Sequence, residues 1–123
     1  MPLLLAIDLG TTGCRAAVYD ERGQCRGDSY REYGLITRSA SEIEQDAEMW
    51  WQLTCVVVRA ALERAGRDRG SVRALAVSSQ GISFVLVDRA ARPLGNAISW
   101  LDTRATAESA HILEHYPAER LFA

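Results

Sequence analysis

Leu3-Leu4-Leu5-Ala6-Ile7-Asp8-Leu9-Gly10-Thr11-Thr12-Gly13 is an apolar strand that ends on one carboxylate, two hydroxyls and two glycines. Polyphosphate is held through backbone N–H groups and hydroxyls, and glycine lets the backbone come close enough to donate them. Gly10 and Gly13 are placed to give that freedom. A Mg2+ ion travelling with phosphates takes hard oxygen ligands, often through water, and needs only one or two protein carboxylates; Asp8 is the candidate. The same residues also suit an ordinary strand-to-turn exit in which the threonines serve the turn or the strand.

Cys14-Arg15-Ala16-Ala17-Val18-Tyr19-Asp20 reads as a second strand and Asp20-Glu21-Arg22-Gly23 as a hairpin turn, with Gly23 suited to positive φ. The glycine-threonine loop therefore joins two strands. A P-loop or a dinucleotide fold passes from its glycines into a helix instead, and neither pattern is present. All 14 Lys+Arg residues are arginine, which excludes a P-loop lysine and Schiff-base chemistry.

Three further segments carry chemistry-bearing residues. Glu44-Gln45-Asp46 leads into a helix bearing Trp50 and Trp51. Ala74-Leu75-Ala76-Val77-Ser78-Ser79-Gln80-Gly81 reads as a strand ending in a loop, followed by Phe84-Val85-Leu86-Val87-Asp88. Arg92-Pro93-Leu94-Gly95-Asn96-Ala97-Ile98-Ser99-Trp100-Leu101-Asp102-Thr103-Arg104 forms the last. Together with the Asp-x-Gly-Thr-Thr loop, these resemble, in order, the motifs of the FGGY carbohydrate kinases, a branch of the actin-like ATPase superfamily, and of their xylulokinase-like members in particular. Ala47 stands where those members usually carry proline.

The resemblance runs from about residue 3 to residue 115. It implies an α/β fold: an actin-like (ribonuclease H-like) domain whose mixed sheet opens with a three-strand antiparallel meander and is flanked by helices. Family enzymes are several times longer, so residues 1–123 are expected to be the N-terminal portion of the first domain, with the rest of the cleft absent. The implied activity is ATP-dependent phosphorylation of a sugar or polyol, a ketose such as xylulose first, with ATP and Mg2+ as cofactors. The alternatives are a non-catalytic sugar-binding or regulatory module and another actin-like ATPase; the Trp-x-Asp-x-Arg segment speaks against the latter.

By the same resemblance Asp8 would hold the metal through water, Gly10, Thr11, Thr12 and Gly13 would meet the phosphates, and Arg15 would reach the transferring phosphoryl group to stabilise its transition state. A forked, permanently charged guanidinium suits that role, although strand alternation also fits Arg15 as a plain surface residue. Substrate contacts would come from Gln80, Gly81 and Ile82 after one strand and from Trp100, Asp102 and Arg104 after another. Met or Arg is common in the family where Gly81 stands, and His or Glu where Ile82 stands, so this pair departs from the pattern that reads the sugar. Trp100 equally fits plain packing, and Asp102 a helix N-cap. The aspartate base of the family lies downstream, so this chain alone is expected to be catalytically silent.

The predicted elements are strands near 3–9, 14–20 and 24–34, a helix near 47–65, strands near 72–79, 83–88 and 96–100, and a helix near 103–115. Asp46 can cap the first helix. Met49, Trp50, Leu53, Val57, Ala60, Ala61 and Ala65 recur at helical spacing before Gly66. Adjacent tryptophans lie about 100° apart on a helix, so one of Trp50 and Trp51 should pack inward and the other near the rim. Residues 67–71 read as a polar loop. His111 and His115 share an i, i+4 spacing without a His-Glu-x-x-His pattern or a recognised third ligand.

The 123 residues, 48% hydrophobic, suit one small domain or part of one. A formal net charge of -2 provides no general field for nucleic acid or an anionic membrane. Cys14, Cys25 and Cys55 are odd in number and without a Cys-x-x-Cys pair, which suits buried thiols in a reducing, cytoplasmic setting. Met1–Leu5 has no positive start and its apolar run is broken by Asp8, so neither export nor a membrane span is expected. Sheet edges and an apolar helix face left uncovered predict self-association, of which a homodimer is the simplest form.

Overall fold

The computed structural model describes residues 2–66 and 69–121. Strand β1 (Leu3–Leu9) pairs antiparallel with β2 (Gly13–Asp20), from Leu3 opposite Asp20 to Leu9 opposite Cys14, and β2 pairs antiparallel with β3 (Cys25–Glu32). The turn between β2 and β3 is built on Asp20, whose buried carboxylate accepts the N–H groups of Arg22 at 2.9 Å and Gln24 at 3.0 Å. Gly23 takes φ 74°, the left-handed conformation that glycine adopts without steric cost.

Helix α1 (Ala47–Arg64) then crosses over, and strand β6 (Val72–Ser79) returns parallel to β1. The sheet order is β3-β2-β1-β6, a meander extended by one parallel strand. Asp46 caps α1, accepting from the N–H groups of Glu48 and Met49, and Gly66 follows the helix at φ 64°. Both follow from the need to satisfy the orphan N–H groups at a helix start and to turn the chain sharply at its end.

One face of α1 packs on one face of the sheet. Val57 and Ala61 meet Leu3, Leu5, Ile7, Cys14, Ala16 and Val18, all buried. Each fully buried valine, Val18 and Val57, contributes about 1.5–3 kcal/mol relative to exposure. The helix lies so close to β3 that a Cβ on Gly27 would sit 2.4 Å from the Ala61 carbonyl oxygen. Trp50 is half-buried and is the inward one of the pair, while Trp51 is 67% exposed and faces solvent rather than the rim of the core. Leu4 on the opposite face, and Leu75 and Val77 on the edge strand β6, remain exposed.

The differences from the sequence reading have plain causes. Strand 24–34 is shorter, and the stretch after it forms a second small sheet, β4 (Ile36–Thr37), β5 (Ile43–Gln45) and β7 (Ala97–Ile98), in the order β4-β5-β7. Pieces of two or three residues are too short to leave a periodic signal. The strand expected near 83–88 is one arm of an irregular hairpin with single bridges at Phe84–Ile98 and Val87–Pro93. Its turn is closed by the Asp88 carboxylate, which accepts from Ala90 and Arg92. Leu94 bonds Leu86 while Ile98 bonds Phe84, so the returning arm is longer than the outgoing one and the ladder breaks.

The strand expected at 96–100 is reduced to β7, and the last helix begins later than residue 103, as α2 (Thr106–His115), followed by α3 (Ala118–Leu121). Asp102 does not cap α2, because its carboxylate is engaged elsewhere; Ala105 holds the cap position without a side-chain bond. Of the loop expected at 67–71, residues 67 and 68 lie outside the described residues and Arg69–Ser71 form a 3-10 turn. Cys14 is buried and Cys55 half-buried, but Cys25 is exposed on β3, so burial does not extend to all three thiols.

Candidate active site

The loop between β1 and β2 is closed by its own backbone, Gly10 N–H donating to Gly13 C=O at 2.9 Å. Tyr33 holds it from both ends: its hydroxyl donates to the Gly10 carbonyl and its N–H to the Thr12 carbonyl. Burial first, then the neighbouring Cys14, Asp8 and Tyr30, push the Tyr33 phenol up to about 12, so it stays a donor. Gly13 is required for a reason other than an exposed N–H. A Cβ there would lie 2.4 Å from the Arg31 carbonyl oxygen and 2.6 Å from the Tyr30 hydroxyl, so glycine lets β3 approach.

Strand register aligns the charged groups. Asp8 lies opposite Arg15 on β2 and opposite Ser78 on β6, and Arg15 lies opposite Tyr30 on β3, on the sheet face away from α1. Asp8 is exposed, and among the described residues its carboxylate accepts no hydrogen bond. One exposed carboxylate beside two threonine hydroxyls fits an Mg2+ ion held largely through water. Arg15 points the other way: its guanidinium pairs with Asp28 at 3.3 Å and lies 5.6 Å from the Tyr30 ring centre. Both partners of that pair are about half exposed, so the restraint is weak.

The ends of β6 and β7 converge on the same loop. Gln80 donates its backbone N–H to Leu9 C=O at 2.7 Å and its side-chain amide N–H to Gln45 Oε1 at 2.8 Å. Gln45 in turn donates to the Thr11 carbonyl at 2.8 Å. From the other side, the Trp100 indole N–H donates to the Thr11 hydroxyl at 2.8 Å. Gly81 and Ile82 form an exposed turn in which Ile82 adopts φ 53°. For a β-branched residue that is a strained conformation, of order 1–3 kcal/mol.

Asp102 and Arg104 face each other. Arg104 Nη2 donates to Asp102 Oδ2 at 2.7 Å and to Glu44 Oε1 at 2.9 Å, while Asp102 Oδ2 also accepts Ile43 N–H at 2.7 Å. Asn96 and Arg38 complete the shell around Glu44. The hydrogen bond from Asn96 and then those from Arg104 and Arg38 hold Glu44 down to about 2. Arg104 holds Asp102 down to about 2, and both carboxylates raise Arg104.

Residues 3–123 match the FGGY family of carbohydrate kinases, N-terminal domain. The chain belongs to that family. It is similar to the glycerol kinase of Trichlorobacter lovleyi, 37% identical over 109 residues covering 88% of this chain and 22% of that protein. Among solved structures it resembles a xyloylose kinase from Brucella ovis (TM-score 0.88, 27% identity, 97% of this chain and 25% of that one). Plasmodium falciparum glycerol kinase with ADP shares the fold at TM-score 0.81 and 20% identity, covering 94% of this chain and 24% of its own. The chain thus spans about a quarter or less of the length of these proteins.

Glu44, Gln45, Ser83 and Asn96 tie these strand-end loops together, and none of the four has a role legible in the sequence. Glu44 and Gln45 were visible only as part of a motif, and no local pattern reports a hydrogen bond spanning 34 to 60 residues. His111 and His115 are joined by Glu114, the ligand atoms of the three lying within 4.8 Å of one another, but all three are exposed. Among the described residues no helix is long and apolar enough to cross a membrane.

Proposed function

We propose that these residues are the N-terminal portion of the first actin-like domain of an ATP-dependent carbohydrate kinase. Its acceptor is a sugar or polyol hydroxyl, on a ketose such as xylulose or, as the glycerol kinase relatives suggest, on a small polyol. The observation that carries the reading is the Thr11–Trp100 bond. It holds the strand-end loop suited to phosphate against the segment suited to the acceptor, so nucleotide and hydroxyl would meet over one short span.

In such a transfer the acceptor oxygen gives up its proton, attacks the terminal phosphorus in line, and ADP departs; positioning and electrostatics supply most of the rate. Thr11 and Thr12 would donate hydroxyl hydrogens to phosphate oxygens. Asp8 would hold Mg2+, which neutralises phosphate charge when bound. Arg15 would have to leave its exposed pairing with Asp28 to reach the phosphoryl group. Gln80, Gly81, Ile82 and Trp100 would line the acceptor side. Asp102 and Arg104, each committed to the other and to Glu44 or Ile43, would shape that wall and offer only their remaining hydrogen-bonding capacity to the acceptor. The base would be an aspartate beyond these residues, the chain alone would transfer no phosphate, and the whole protein would work in the cytoplasm.

The test is ADP release by the product of the complete reading frame, supplied with Mg-ATP and a panel including xylulose and glycerol. Release that depends on one acceptor supports the kinase. Acceptor binding with no ADP release from any member would favour a non-catalytic sugar-binding module.

A further inference from the structure

Gln45 is fully buried and is the largest of the fully buried side chains. It belongs to a closed circuit of hydrogen bonds through five residues. Gln45 Nε2 donates to the Thr11 carbonyl at 2.8 Å, and Gln80 Nε2 donates to Gln45 Oε1 at 2.8 Å. Ser83 Oγ donates to Gln80 Oε1 at 3.1 Å while accepting the Trp100 backbone N–H at 3.0 Å. The Trp100 indole N–H closes the circuit on the Thr11 hydroxyl at 2.8 Å. The members come from the β1–β2 loop, β5, the end of β6, the turn after it, and the segment after β7.

The direction of every bond is forced. The Thr11 carbonyl can only accept, so Gln45 must turn its NH2 toward it and its Oε1 toward Gln80. Gln80 must then answer with its NH2, which leaves its Oε1 facing Ser83, whose hydroxyl must donate. Ser83 Oγ keeps its lone pairs for the Trp100 backbone N–H, which can only donate. Both amide orientations are thereby fixed without appeal to an arbitrary flip. The indole N–H is also donor only. The Thr11 hydroxyl therefore accepts from Trp100 and is left to donate its own hydrogen outward, the role an anionic phosphate oxygen demands.

We propose that Gln45 is a positioning residue for phosphoryl transfer: it locks the Thr11 loop and the Gln80–Ser83 turn into one unit, so that phosphate and acceptor are held in a single register. This rests on the kinase reading. Gln45 is buried behind both loops and acts through Thr11 and Gln80. Because it joins two separate elements, its loss should disturb their mutual placement more than the affinity of either for its own ligand. Misplacement of reacting groups by about 1 Å can cost on the order of a hundredfold in rate.

The test uses the complete protein with Gln45→Leu, Gln80→Leu and the double variant, measuring kcat, both KM values and the unfolding temperature. We expect kcat to fall at least about tenfold for Gln45→Leu while each KM changes far less, the pattern of an interaction realised in the transition state. The double variant should be no slower than the worse single, since both break one circuit. Gln80→Leu, at a half-buried position, keeps the question open to refutation if Gln45→Leu fails to fold, because it must show the same kcat loss. An unchanged kcat in either folded variant, or fully additive effects, overturns the proposal while leaving an active kinase. A wild-type protein with no acceptor-dependent ADP release overturns the kinase reading itself, and the proposal with it.

Discussion

Trp100 and Thr11, 89 positions apart in the chain, are joined by a 2.8 Å hydrogen bond from the indole N–H to the threonine hydroxyl. That bond gives Trp100 a polar duty which neither sugar stacking nor plain packing describes, and it leaves nearly half of the residue exposed. Trp100→Phe would keep an aromatic face and lose the donor. One neutral hydrogen bond contributes about 1 kcal/mol, so kcat/KM for phosphotransfer should fall roughly fivefold, whereas Thr11→Val, which also removes the hydroxyl offered to phosphate, should cost more, with Trp100→Phe adding little on top of it. Additive losses in a double-mutant cycle would show that the bond does not matter to the reaction.

Gly13→Ala should destabilise the protein although its backbone is not in the left-handed region. The added methyl would meet the Arg31 carbonyl oxygen at 2.4 Å, a backbone atom that cannot swing aside as a flexible side chain can. Forced overpacking of this kind costs about 1–3 kcal/mol, measurable as a lower midpoint in denaturant. A midpoint equal to wild type would mean that β3 can withdraw freely.

Asp46→Ala removes the carboxylate oxygen, Oδ1, that accepts both the Glu48 and the Met49 N–H at the start of α1. An N-cap of this type is worth about 1 kcal/mol, and Asp46→Asn should recover most of it because it keeps the accepting oxygen. Thermal unfolding of the three proteins checks the order. A cap variant as stable as wild type would show that packing of Val57 and Ala61 alone sets the helix start.

Acid should loosen the wall built on Glu44, Asp102 and Arg104. Both carboxylates titrate near 2 in the folded protein, below their ordinary values of 4.5 and 3.8. A depressed folded value means that the stabilisation is fully present above the unfolded values and is lost as the pH falls toward 2. Stability should therefore decline between roughly pH 4.5 and 2, and Asp102→Asn should make that decline shallower. An identical acid slope in the variant would remove Asp102 from the account.

The meander and the crossover were legible because Leu3–Ile7 and Ala16–Val18 are short apolar runs separated by a glycine-threonine loop and the turn after them carries Asp20 and Gly23, whose chemistry is local. Asp46 and Gly66 marked α1 for the same reason. The second sheet was not legible, since β4, β5 and β7 are two or three residues long and owe their existence to partners far along the chain. The arm at 83–88 looked like a strand because Phe84, Val85, Leu86 and Val87 favour extended backbone, yet its partner arm is out of step with it. At the site, residue types pointed to the loop and the later strand ends. The circuit through Gln45 and the commitment of Asp102 to Arg104 and Ile43 exist only once the chain is folded.

The central claim is that the loop after β1 handles a metal-bound phosphate, and Asp8 is its most direct point of test. The measurement is acceptor-dependent ADP release by the complete protein, wild type against Asp8→Ala, over a range of Mg2+ concentrations. With Asp8→Ala kcat should fall at least about a hundredfold, the scale of losing a principal electrostatic contact to the reacting groups, with an altered Mg2+ dependence. An Asp8→Ala protein that transfers phosphate at the wild-type rate with an unchanged Mg2+ requirement would contradict the claim.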